Sequence, residues 1–123
     1  MSHDISMQSV DKVFEDRQTR VSFLENPYHI KTDQEYAELA LLKDQIYDWT
    51  MIKRYIANKN YRMNLLEKHE LLNIFAKIKR KTGVMLITNK RELKGCNNEA
   101  HELIILRGVM AYIGASIAVS IEN

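Results

Sequence analysis

NEAHELIILRGVMAYIGASIAVSI, residues 98–121, is the stretch from which the rest of the chain is read. Arg107 is the only charged side chain between Leu103 and Ile121, so a helix built from it is apolar on nearly every face and is expected to be buried. On a helical wheel Leu103, Leu106, Met110, Ile113, Ile117 and Ile121 form a stripe of large side chains, beside a stripe of small ones at Ala111, Gly114, Ala115 and Ala118. The large stripe is expected to fill a core. The small one is expected to admit a second backbone, from the same chain or from another copy.

Working outward, the preceding 97 residues read as a shell of helices. Four glycines and one proline in 123 residues, with 46% apolar content, argue for helix rather than a loop-rich or all-β fold. Val10, Val13, Phe14, Arg17, Val21 and Leu24 recur at helical spacing until Asn26-Pro27, where the residue before proline leaves the α region. A short strand at RVSFL, residues 20–24, competes with this helix. Thr32 followed by Glu35 is a capping box, so a second helix starts at Asp33. Its seam is Tyr36, Leu39, Leu42, Ile46, Trp49 and Ile56, widened by Ala40, Tyr47, Met51 and Tyr55, which is more than one partner needs.

Residues 57–64 weaken the helical pattern through Asn58 and Asn60, either as a turn or as a kink. Leu65, Leu66, Leu72, Phe75 and Ile78 define a third helix. Lys77, Lys79, Arg80 and Lys81 suit its negative end, and Gly83 suits the left-handed position after it. VMLIT, residues 84–88, reads as a short extended segment, and Asn97 or Asn98 as the cap of the last helix. The expected fold is mainly α: one domain over 1–123, frayed at 1–8, with helices at 9–25, 33–57, 61–82 and 98–121 arranged compactly around the last.

Charge is unevenly spread. Met1–Thr50 holds five basic and ten acidic residues, about −5, and Met51–Asn123 holds thirteen and six, about +7. The halves either neutralise each other or offer fields to partners. Twelve cations between Lys53 and Lys94 face three acids. With Trp49, Tyr55 and Tyr61 among them, that mixture suits phosphates and stacked bases. The candidate ligand-binding residues are Lys53, Arg54, Tyr55, Arg62, Lys77, Lys79, Arg80, Lys81, Lys90, Arg91 and Arg107. Arg107 should either meet an acid such as Asp44 or Asp48 or point into an anion site.

Catalytic signals are thin. His3, His29, His69 and His101 form no metal motif, the four glycines stand alone, and Cys96 with Glu99 and His101 makes only a weak nucleophile or metal set. No catalytic residue, metal or cofactor is expected. A lone cysteine excludes an intrachain disulfide, and the start lacks the layout of a secretory signal, so a cytoplasmic protein is expected. The last segment is barely the length of a membrane span and carries Arg107, which speaks against a membrane reading.

LLNIFAKIKRKTGVML (71–86) followed by LRGVMAYIGASIA (106–118) resembles the helical hairpin of phage proteins that sequester cyclic-nucleotide defence signals. The resemblance covers the second half of the chain and implies an oligomeric sponge for a nucleotide signal. From the residues themselves, the expected function is non-catalytic binding of a phosphate-bearing ligand, nucleic acid first and nucleotide second, by a homo-oligomer. The alternative is a protein-interaction module, an inhibitor or adaptor acting through its acidic first half. Thr32→Ala is expected to lower stability by about 1 kcal/mol through loss of the cap, and Glu35→Ala by somewhat less, both read from thermal melting.

Overall fold

The structure is a computed structural model that describes residues 5–57, 64–86 and 99–122, the last eight of these as helical backbone only. Four helices make up the fold: α1 (Met7–Leu24), α2 (Asp33–Ala57), α3 (Leu65–Thr82) and α4 (Glu99–Glu122). The fold is mainly α, and the described residues contain no strand. Val84–Leu86 run outside any ladder, and 87–88 lie outside the described residues, as does the expected cap at Asn97 or Asn98. RVSFL belongs to α1.

Local chemistry accounts for the helix ends. Thr32 accepts from the Glu35 amide (3.1 Å) while Glu35 accepts from the Thr32 amide (3.0 Å), the reciprocal box expected at the start of α2. A second box was not anticipated: Ser6 caps α1 by exchanging hydrogen bonds with Ser9, so α1 begins at Met7 rather than at residue 9. Asn64, extended at φ −72° and ψ 169°, accepts from the Glu67 amide and starts α3 four residues later than expected. Asn64 is thus outside any helix, and 58–63, where a turn or kink was expected, lie outside the described residues. Gly83 ends α3 at φ 77°, in the left-handed region where a Cβ is penalised.

Tertiary packing departs from the expected wheel of α4. Ile105, Leu106, Val109, Tyr112 and Ile113 are buried, Leu103 and Met110 only half so, and Ile104, Arg107, Ala111 and Gly114 are exposed. The helix is therefore not enclosed by the described residues, which leave Ala111 and Gly114 of its small stripe exposed. In α3, Phe75 and Ile78 are buried as expected, but Leu65 and Leu66 are exposed and Leu71 and Ile74 complete the core face in their place. Spacing identifies a stripe but not which neighbouring stripe faces the core, because that depends on the crossing angle of the packed helices. Both α2 and α4 meet all three of the other helices. No helix among the described residues is long and apolar enough to cross a membrane.

Buried side chains form two clusters. The larger joins Val10 and Phe14 of α1 to Trp49, Ile52, Tyr55 and Ile56 of α2 and to the inner faces of α3 and α4. The smaller, at the far end of the α1–α2 hairpin, holds only Val21, Leu24 and Leu42, flanked by Leu39 and Ile46. Leu86 is buried and lies so close to Gly108 that a Cβ there would overlap its Cδ2. Gly114 meets nothing. The same substitution at these two glycines should therefore have opposite signs. Gly114→Ala is expected to gain about 0.5–1 kcal/mol of helix propensity, whereas Gly108→Ala should lose about 1 kcal/mol net, crowding exceeding that gain, both measured by denaturant unfolding.

Candidate binding surfaces

The expected basic face divides into residues that serve the fold and residues that do not. Lys53 donates to Asp11 (3.0 Å), which also accepts from Trp49 Nε1 (2.9 Å). Both bonds hold the Asp11 carboxyl below its usual range. Arg54 lies 3.9 Å from Glu67. Tyr55 and Trp49, read as surfaces for stacked bases, are buried: Tyr55 packs edge-on against Phe75 and His101, and Trp49 stacks on Phe14 at 5.4 Å. Their faces belong to the core. Arg62, Lys90 and Arg91 lie outside the described residues, as do Tyr61 and Cys96. His101 donates to the Leu86 carbonyl (2.8 Å), and no group of metal ligands occurs among the described residues.

Lys77 has the most specific role. Its ammonium bridges Asp48 (2.6 Å) and Asp44 (3.0 Å), and Tyr112 donates to the same Asp48 oxygen (3.1 Å). One cluster thus joins α2, α3 and α4. Burial pushes the Asp48 carboxyl up, against the hydrogen bond and charge of Lys77. Desolvation works against the Lys77 charge, but its bonds to the two aspartates prevail and its pKa is raised. Desolvation and the Asp48 charge push Tyr112 up to about 12. A lysine held protonated in this way is a structural cation, not a base. Asp44 and Asp48, the acids proposed for Arg107, are occupied by it, and Arg107 lies exposed with no ion pair to a described residue. A cleft of about 340 Å³ lies over the cluster between α2 and α3, with Tyr47 donating to Glu70 (2.6 Å) across it and Arg80 at its rim.

Lys79, Arg80 and Lys81 are exposed in the last turn of α3, where they meet the negative end of its dipole. Together with Arg107 they are the described members of the basic face that form no ion pair with a described residue. Part of the charge split is settled internally, because Lys53 and Lys77 cross from the basic half to Asp11, Asp44 and Asp48.

The most exposed apolar surface lies elsewhere, at the tip of the α1–α2 hairpin. Tyr28 and Ile30 are 93% and 92% exposed, and Phe23 and Tyr36 more than half. The connecting loop that carries them is tied at several points. Tyr28 donates its amide to Asn26 Oδ1 (2.9 Å), the His29 amide donates to the Asn26 carbonyl (2.9 Å), and His29 Nε2 donates to Glu35 (2.9 Å). Arg20 makes a two-pronged pair with Glu38 (2.9 Å each) and lies over the Phe23 ring at 5.3 Å. The Thr32 bonds and His29 lower the pKa of Glu35, and Arg20 lowers that of Glu38. Sequence reading passed over this loop because an exposed Tyr or Ile has no periodicity to betray it; its one sign was apolar residues in a segment without a helical partner stripe.

No family model matches the chain, and neither a curated protein nor a solved structure matches it.

Removing Lys77 leaves a buried carboxylate without its cation. Lys77→Met is expected to cost about 3–5 kcal/mol at neutral pH, and the deficit should shrink on acidification as Asp48 takes up a proton. In the unmodified chain Lys77 and Tyr112 both have folded pKa values above the ordinary ones. Their contribution is complete below about pH 10 and is lost progressively as the pH rises from there through about 12. Unfolding free energies measured from pH 4 to 12 test both statements.

Proposed function

We propose that this chain is a non-catalytic protein-interaction module whose partner docks on the tip of the α1–α2 hairpin. The observation that carries this reading is the exposure of Tyr28 and Ile30, flanked by Phe23 and Tyr36, on a loop already ordered by hydrogen bonds and ion pairs. Large apolar groups held out in water are costly unless something covers them, and aromatic residues with arginine are what dominate the centres of protein interfaces. A pre-ordered loop loses little entropy on docking. Acidity supports the reading less, since Glu38, Glu35 and Glu25 around the tip are paired with Arg20, His29 and Lys43.

Phosphate binding is the second reading, and one observation supports it: Lys79, Arg80 and Lys81 stand together and exposed. With Trp49 and Tyr55 in the core, it rests on charge alone, so it predicts steep salt dependence and no base preference. Nucleic acid and a nucleotide signal both remain ligands of that kind. Exposure of Ala111 and Gly114 on α4 supports association between copies, which light scattering reads directly.

The two readings separate by variant. Tyr28→Ser with Ile30→Ser touches no buried contact and should leave helix content unchanged, while reducing retention of partner proteins from an extract of the producing cells about tenfold or more, as counted by quantitative mass spectrometry. Charge reversal at Lys79, Arg80 and Lys81 should leave that retention unchanged. If instead labelled oligonucleotides bind at low salt, the triple reversal abolishes that binding and the tip variant loses no partner, the phosphate reading replaces the first.

A further inference from the structure

The two facing helices of the hairpin meet along a seam that is apolar except at one level. On α1 the seam is Val10, Phe14, Arg17, Val21 and Leu24; on α2 it is Leu42, Gln45, Trp49 and Ile52, all buried except Arg17, which is half-buried. Phe14 stacks on Trp49 below, and Arg20 pairs with Glu38 above. Between those two contacts lie Arg17 and Gln45, so antiparallel register puts them at about the same level. Gln45 is 0% exposed, yet neither of its amide atoms has a hydrogen-bond partner among the described residues, and neither has the buried Nε of Arg17. Each such group has given up its hydrogen bonds to water without replacing them, which weakens the seam at this level. At this level the fully buried core divides, with Phe14 and Trp49 in the large cluster and Val21, Leu24 and Leu42 in the small one, and only the partly buried Ile46 packs against both.

We infer that the outer end of the hairpin, roughly residues 19–42, is a separately opening unit hinged at the Arg17–Gln45 level. Beyond the hinge, three buried apolar residues and the surface pairs Arg20–Glu38, His29–Glu35 and Lys43–Glu25 hold the unit closed. Surface pairs contribute little each and weaken with salt. Below the hinge, the large cluster and the Asp48–Lys77–Tyr112 bonds hold the remaining helices. Opening uncouples the tip while leaving Trp49 packed under Phe14. The inference concerns the end of the molecule proposed above as the docking site but does not depend on any partner, because it is read on the chain alone.

Native-state amide hydrogen exchange tests it. Amides of the α1 end (20–24) and of the α2 start (38–42) are expected to exchange through one shared opening, with protection at least tenfold below that of residues 46–56 and of α3, and Trp49 fluorescence should stay native. Arg17→Leu with Gln45→Leu replaces the polar level by an apolar one and joins the two clusters; protection over 20–24 and 38–42 should then rise about tenfold more than elsewhere. Gln45→Leu alone keeps the test open if the double variant misfolds, and should move protection the same way. Three results would overturn the hinge: outer and inner amides exchanging with one common free energy, two segments of the tip opening independently, or substitution raising protection evenly across the chain. Loss of partner binding in the Tyr28→Ser, Ile30→Ser variant bears on the docking reading only.

Discussion

The carboxylate of Asp48, 3% exposed and closed in by Lys77 and Tyr112, is the constraint on which the arrangement of α2, α3 and α4 depends. A buried charge is tolerated only where its partners are in place. Lys77 must therefore come from α3 and the Tyr112 hydroxyl from α4, at one level of α2. Ion pairing of this kind does little for net stability compared with an apolar core, but it restricts the registers in which three helices can be packed together. Lys77 is half-buried, and it brings Asp44 into the same group from one turn earlier on α2. The ordinary apolar packing of Tyr55, Phe75 and Ile105 then follows from positions already set.

This arrangement changes the meaning of the charge asymmetry. Cations in the second half looked available to a phosphate-bearing ligand, yet two of them cross to acids of the first half, and the aromatic groups that would have stacked bases are core residues. Among the described cations of the second half, Lys68, the exposed basic turn of α3 and Arg107 form no ion pair with a described residue. By contrast, the hairpin tip gathers apolar surface that no described residue covers. An interaction surface is recognised by what is left over after folding, and here the surplus is aromatic at one end and cationic at the other.

The hairpin combines two kinds of adhesion. Near α3 and α4 it is held by a continuous apolar cluster, and toward its tip by a small satellite core with ion pairs around it. An unsatisfied polar level between them divides the seam. Stability therefore falls off along the length of a single pair of helices, and the weaker end carries the exposed side chains. Proteins draw their binding elements from such regions because they can adjust at small cost.

What the amino-acid sequence determined by itself was the set of elements: four helices, the box at Thr32 and Glu35, the stop at Gly83, and the absence of a strand-rich plan. These follow from interactions between residues three or four apart, which exist before any helix meets another. The Ser6–Ser9 box has the same range and was legible in principle; it was missed because Ser at the third position is a weaker sign than Glu or Gln. Only the tertiary structure decided which side of α4 is buried, that Trp49 and Tyr55 face inward, that Lys77 and not Arg107 holds Asp48, and that Gln45 lies in the seam with no hydrogen-bond partner among the described residues. Those outcomes depend on contacts such as Tyr112 with Asp48, 64 residues apart, and on helix crossing angles. A one-residue rotation of a helix exchanges a buried stripe for an exposed one without altering its periodicity, so no spacing rule can distinguish the two.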